Sequence, residues 1–136
     1  NAGNNVIEGR GELHFPEIWL RSYDQEKDPE IYTIGDFRLH LISDKIRITS
    51  DNYSNFFLTG KVNSFDVYIA DGDARLEGQD LIAQTVEIQH RGTNKLIVNP
   101  QQLLKGEIRS TGDVISVNRP PVVDVETFYS GRLIFE

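Results

Sequence analysis

The chain has 136 residues, 38% of them apolar and 26% charged, with 21 acidic against 14 basic side chains and a formal charge of −7. That length suits one domain that holds together without metal or disulfide, and the excess of carboxylates argues against a nucleic-acid or anionic-membrane partner. The absence of cysteine excludes disulfides, zinc–thiolate sites and thiol nucleophiles.

The chain opens Asn1-Ala2-Gly3-Asn4-Asn5 and contains no Met. It therefore reads as a mature segment, from which any signal peptide has been removed. No stretch approaches the ~20 apolar residues of a membrane span. Residues 1–34, with Pro16, Trp19 and the polar stretch Tyr23–Glu30, read as a divergent first rung or cap. Beyond them, runs of alternating apolar and polar residues predict half-buried strands: Phe37–Ile42, Lys45–Thr49, Phe65–Ala70, Val86–Ile88, Leu96–Val98 and Arg132–Phe135. The best helix candidate, Asp80–Glu87, is short and interrupted by β-branched residues. The expected class is all-β, in a single domain over residues 1–136 with the repeat region in 35–136.

The repeat is the more informative signal. Gly72, Gly92 and Gly112 are spaced by 20 residues, and Asn52 stands 20 before the first. Gly and Asn are the residues that most readily take the left-handed backbone of a tight corner. Ile48, Tyr68, Ile88 and Ile108 precede these positions by four, and the turn formers Gly60, Asp80, Pro100 and Pro120 follow by eight. Gly35-Asp36-Phe37-Arg38-Leu39 echoes Gly72-Asp73-Ala74-Arg75-Leu76, at a spacing of 17 rather than 20 from Asn52. Near Gly72 the apolar phase slips, so Val67 and Ile69 are expected inward instead of Asp66 and Tyr68. A period near 20 predicts a single-stranded β-helix, or solenoid, of about five rungs. The alternative is a β-sandwich of evenly spaced hairpins; against it, only Asp71-Gly72 offers a two-residue hairpin turn.

The corners Ile69-Ala-Asp-Gly-Asp-Ala-Arg-Leu-Glu-Gly78 and Ile108-Arg-Ser-Thr-Gly-Asp-Val114 resemble the recurring strand corners of the head GIN domain family of auto-transporter adhesins, common in Bacteroidetes. Gly112–Pro121 and Phe128–Glu136 resemble a member's closing segment. The resemblance covers residues 35–136, and Arg91-Gly92-Thr93 departs from the pattern. It implies a right-handed β-helix exported to the periplasm or cell surface, and it carries over no catalytic or binding residue.

Candidate chemistry is sparse. Asp71 and Asp73, with Glu77 and Asp113 nearby, form the best cation candidate, since calcium is bound by several converging oxygens. Thr93 interrupts that stack, and turn-forming Asp is the plainer reading. Glu87 and Glu107, spaced by 20, are expected to stack on one face, as a glycoside-cleaving carboxylate pair would require; flanked by Lys105 and Arg109, they read better as a solvated charge ladder. His14, His40 and His90 lack zinc-ligand spacing, and His40 is expected to face outward. Tyr53, Phe56 and Phe57 and the pair Phe128 and Tyr129 could stack on sugars, but core packing suits Phe56 and rung-end capping suits Phe128. Arg119-Pro120-Pro121 is expected to blunt the last coil, since Pro cannot donate to a ladder. Val122–Val125 and Arg132–Phe135 would then form a final strand pair or meet a second subunit. No catalytic, cofactor or metal residue is assigned. The expected function is a non-catalytic, exported binding module of the bacterial cell envelope, whose partner is an envelope glycan or protein. A self-assembling structural protein is the alternative, and a polysaccharide-acting enzyme the less favoured one.

Overall fold

The computed structural model describes residues 3–22, 33–51 and 53–136, and every regular element in them is a strand. In chain order these are β1 Gly3–Ser22, β2 Thr33–Ser50, β3 Asn55–Ile69, β4 Arg75–His90, β5 Leu96–Ile108, β6 Val114–Ser116, β7 Val122–Thr127 and β8 Leu133–Phe135. Every pairing is parallel, running β1-β2-β3-β4-β5-β6-β8, with β7 also on β5. Parallel neighbours separated by one circuit of chain define a β-solenoid of about five turns. The sandwich alternative is thereby overturned, because its hairpins would pair antiparallel strands.

Within a long strand the inward side alternates and then slips phase where the coil bends. In β4, Leu76 and Gly78 face inward, then Leu81 and Ala83, then Val86, Ile88 and His90. The slips fall at Gln79–Asp80 and Gln84–Thr85, so one continuous strand covers three short sides of the coil. The helix candidate Asp80–Glu87 lies inside this strand. The two bends explain its ambiguity, because they break the strict alternation that marks a flat strand.

Inward residues stack in columns from coil to coil. Phe37, Phe56, Leu76, Leu96 and Val114 form one column, and Ile46, Phe65, Val86 and Leu104 another, each residue no more than 3% exposed. The Phe37 and Phe56 rings stack at 4.8 Å between centroids and 13° between planes, a contact adding about 1 kcal/mol to the burial itself. As expected, Val67 and Ile69 point inward while Tyr68 faces solvent.

The coil length is not constant. Asp36 pairs with Asn55, Asn55 with Arg75, Thr59 with Asp80, Glu87 with Lys105 and Leu96 with Val114, giving steps of 19, 20, 21, 18 and 18 residues. Between β1 and β2 the step is 28–30 residues. Small insertions at the bends absorb the differences, so residues 20 apart in the sequence, such as Ile48, Tyr68, Ile88 and Ile108, do not stack as one column. Ile48 stacks instead on Val67 and Ile88, and Ile108 on His90.

The spaced glycines do mark a corner, but not for the expected reason. Among them only Gly72 has a positive φ, of 79°. At Gly112 the reason is proximity: an added Cβ would collide with the Asn94 carbonyl and the His90 ring. The corner backbones are hydrogen-bonded across coils, Thr93 N to Gly72 O at 2.9 Å, Gly112 N to Gly92 O at 3.1 Å and Gly131 N to Ser110 O at 2.8 Å. The fourth proposed corner residue, Asn52, and the stretch Tyr23–Glu30 lie outside the described residues.

The C-terminal end also departs from expectation. Arg119-Pro120-Pro121 does not blunt the last coil; it is the bend between β6 and β7, with Pro120 buried. The final segments do not pair with each other, since β7 lies on β5 and β8 on β6. They form a further turn whose core-facing Val123 is 39% exposed, although its ladder partner Leu104 is fully buried.

Gly106 has φ +131°, and a Cβ there would overlap the Ile88 carbonyl oxygen of the coil below. Gly106→Val is therefore expected to cost at least about 3 kcal/mol of unfolding free energy. Gly11→Ala, at φ +80° but with nothing within 4 Å, should cost only about 1 kcal/mol. Equal losses in denaturant titrations would contradict the close-stacking explanation.

Candidate functional site

The middle side of the coil carries three outward columns across the first four coils. Ladder pairing places Glu12, His40, Thr59 and Asp80 in one column and His14, Ile42, Lys61 and Ile82 in the next. Beyond them, Asp44 and Asn63 stand in register between the paired flanking residues, with Gln84 one coil further on. Two open cavities of about 500 and 690 Å³ lie along these columns and share His14, Ile42 and Lys61. They meet at these three residues along one open groove, whose middle column alternates His14, Ile42, Lys61 and Ile82 between two polar rims. Phe15, 55% exposed, stands with Pro16 at the first-coil end.

The rims are ordered by their own hydrogen bonds. His14 Nε2 lies 2.6 Å from Glu12 Oε1, and His40 Nε2 lies 3.4 Å from the other carboxylate oxygen. His40 Nδ1 is 2.7 Å from Thr59 Oγ1. On the opposite rim Asn63 Nδ2 donates to Asp44 Oδ1 at 3.0 Å. The hydrogen bond from His14 lowers the Glu12 pKa against an opposing effect of burial, with smaller lowering contributions from the His14 charge and from His40. Lys61, Asp80 and Gln84 make no side-chain hydrogen bond or ion pair among the described residues.

Most of the residues singled out in the sequence lie elsewhere. Asp71 accepts from Gly72 N at 2.7 Å, and Asp73 from Thr93 Oγ1 at 2.9 Å. Asp113 is bonded by Arg132 N at 2.8 Å, which with the Arg132 guanidinium lowers its pKa. These carboxylates serve their corners, and no group of three or more His, Asp or Glu among the described residues is placed to hold a metal ion. Glu87 and Glu107 do not stack. The 18-residue step puts Lys105 over Glu87, 3.7 Å away, and Glu107 over Gln89. Arg109 binds Glu107 at 2.6 Å and lowers its pKa, the opposite of what a general acid needs.

The aromatics divide between core and surface. Phe56 is fully buried, whereas Tyr53, Phe128 and Tyr129 are exposed. Arg38 covers the ring of Phe57 at 4.2 Å, and Arg109 that of Phe128 at 4.1 Å. Trp19 is flanked by Arg21 and Arg47 and donates to Thr49 Oγ1 at 3.0 Å. The groove residues Glu12, Phe15, Ile42, Lys61, Asn63 and Ile82 carried no chemical signature in the sequence. A regular outward alternation with the 19-residue recurrence of Asp44 and Asn63 was the only available hint.

Of the three histidines, His40 faces outward as expected, and His90 is fully buried at the glycine corner. Its Nε2 donates to Asn94 O at 2.8 Å, and its Nδ1 accepts from Gly92 N at 3.3 Å. Burial depresses its pKa, with the Asn94 carbonyl and Asp113 opposing. The unfolded chain therefore takes up a proton near pH 6.5 that the folded chain refuses. Stability from His90 is present above pH 6.5 and falls as pH drops toward the depressed folded value. Denaturant midpoints of the natural chain should decrease from pH 7 to pH 5, and His90→Gln should flatten that slope. An unchanged slope in the variant would contradict the assignment.

Comparison with curated proteins and with solved structures gives no match. A family model described as "putative auto-transporter adhesin, head GIN domain" matches residues 1–120. The match includes residues 1–34, which the sequence resemblance had left outside. The family name implies an exported or surface protein with an adhesive rather than a catalytic role. The chain belongs to the head GIN domain family.

Proposed function

We propose that this domain is a non-catalytic, adhesion-like binding module of the bacterial cell envelope, working through the groove on the middle side of its first four coils. The observation that carries the reading is the meeting of two cavities at His14, Ile42 and Lys61, where Ile42 and Ile82 supply apolar surface among polar side chains, several of them already held by hydrogen bonds. Ligand sites are typically concave, largely apolar and furnished with a few convergent polar groups. The floor is built on strands locked into coil-to-coil ladders, so the groove needs little rearrangement to accept a ligand.

The test is attachment of the immobilised domain to isolated envelope material and to a glycan array, each with calcium and with a chelator. The doubly plugged variant Asn63→Arg, Ile82→Arg alters only outward-facing positions. The reading expects retention by the natural chain, at least a ten-fold loss in the plugged variant, and no effect of the chelator. Equal retention of both proteins would place binding outside the groove.

A second reading, self-assembly, draws on the last turn. There Val125, Leu133 and Phe135 pack against the core and Val123 lies over Leu104, and among the described residues no further strand pairs beyond this turn, although Arg119 covers the Phe135 ring. Concentration-dependent sedimentation, abolished by Val123→Lys, would support it. A monomer at all concentrations would remove it.

A further inference from the structure

Resting on the groove as the binding site, we propose that its ligand is a neutral saccharide chain lying along the solenoid axis, and that acidic saccharides are refused. The groove floor is the outer face of a parallel sheet whose backbone N–H and C=O groups are consumed in coil-to-coil ladders. An extended peptide is recognised chiefly through its main chain at a free strand edge, and only β1, the end strand of the sheet, has an open side here; a ligand lying along the axis across β2, β3 and β4 meets no free edge. Only side chains remain to make polar contacts, and they are of mixed type. Glu12, Asp44 and Asp80 accept, Lys61 donates, and Asn63 and Gln84 do both. A ligand matching that set must carry groups that both donate and accept at short intervals along its length, which is the chemistry of hydroxyls.

The floor fits the same class. Ile42 and Ile82, on either side of Lys61 in the middle column, and the exposed ring of Phe15 at the first-coil end contribute apolar surface. The C–H faces of pyranose rings are flat and apolar, while their edges carry the hydroxyls. A saccharide can therefore satisfy floor and rims together. Coils repeat at about 4.8 Å, so four coils span roughly 14 Å, room for a short run of rings.

Charge then selects among saccharides. Three carboxylates face the groove against one ammonium, in a chain whose net charge is −7. Uronate, sialate or sulfate groups would be held off by that field and, if they entered, would leave carboxylates facing like charge.

The experiment is affinity electrophoresis of the 136-residue chain through gels containing soluble neutral polysaccharides (glucans, mannans, xylan) or acidic ones (polygalacturonate, alginate). The proposal expects retardation by at least one neutral polymer and none by the acidic ones. In Phe15→Ala and Asn63→Ala the apparent dissociation constant should rise at least ten-fold, with unchanged strand circular dichroism and melting. Retardation by acidic polymers, lost in the same two variants, would overturn the saccharide class while leaving the groove as the site. Retardation that both variants retain would overturn the groove itself. No retardation by any polymer would overturn the saccharide assignment, and the plugged-variant attachment assay then decides separately whether the groove binds anything.

Discussion

Each coil of this protein takes its shape from the one beneath it, because within the strands the backbone groups of one coil pair with those of the next. An N–H or C=O left unpaired in a buried strand would cost about as much as a lost hydrogen bond or more. The chain therefore keeps its coils in contact even through the corners, where Arg91 N reaches Ile69 O, Arg109 N reaches His90 O and Phe128 N reaches Ile108 O, each within 2.9 Å. Such contact leaves no room for a side chain at the tightest crossings. Glycine at 92, 112 and 131 follows from that distance, and so does the buried His90, whose ring nitrogens satisfy two corner groups that the ladder cannot reach.

The same constraint separates what could be read in the sequence from what could not. Strand content, a repeating corner and the inward phase of Val67 and Ile69 depend on local residue type, and they were legible. The coil-to-coil register depends on how many residues each bend absorbs, and a bend leaves only weak local marks. The glycines at 72, 92 and 112 keep a spacing of 20, yet Glu87 meets Lys105 and Ile88 meets Gly106 at a spacing of 18. Extending the corner period to the strands was therefore the error behind the Glu87 and Glu107 pair. Arg119-Pro120-Pro121 misled for a related reason: a proline pair ends a ladder only where its nitrogens face a neighbouring strand, and here they sit in a bend.

The groove was the least legible feature, and its invisibility has a physical cause. Its residues come from four coils and meet through three different steps, of 28, 19 and 21 residues for Glu12, His40, Thr59 and Asp80. No motif of fixed spacing can encode such a set. The approach of His14 and His40 to one carboxylate depends on the long first step, which nothing in the strand pattern announces. A solenoid thus separates two tasks along each strand. Inward positions are held mainly to apolar residues by stacking, whereas outward positions carry most of the charged and polar side chains. The excess of acidic side chains acts on the second set, setting the sign of the field that a ligand meets.

The proposed binding takes place on the outward columns of the middle side, across the first four coils. Amide chemical-shift mapping by NMR, with the domain titrated by short neutral oligosaccharides, tests it most directly. Shifts concentrated at Thr59, Lys61, Asn63, Ile82 and Gln84 are expected, with β7 and β8 unmoved. Shifts concentrated in the last turn, around Val123, Phe128 and Phe135, would contradict it and make the uncovered end of the solenoid the functional surface.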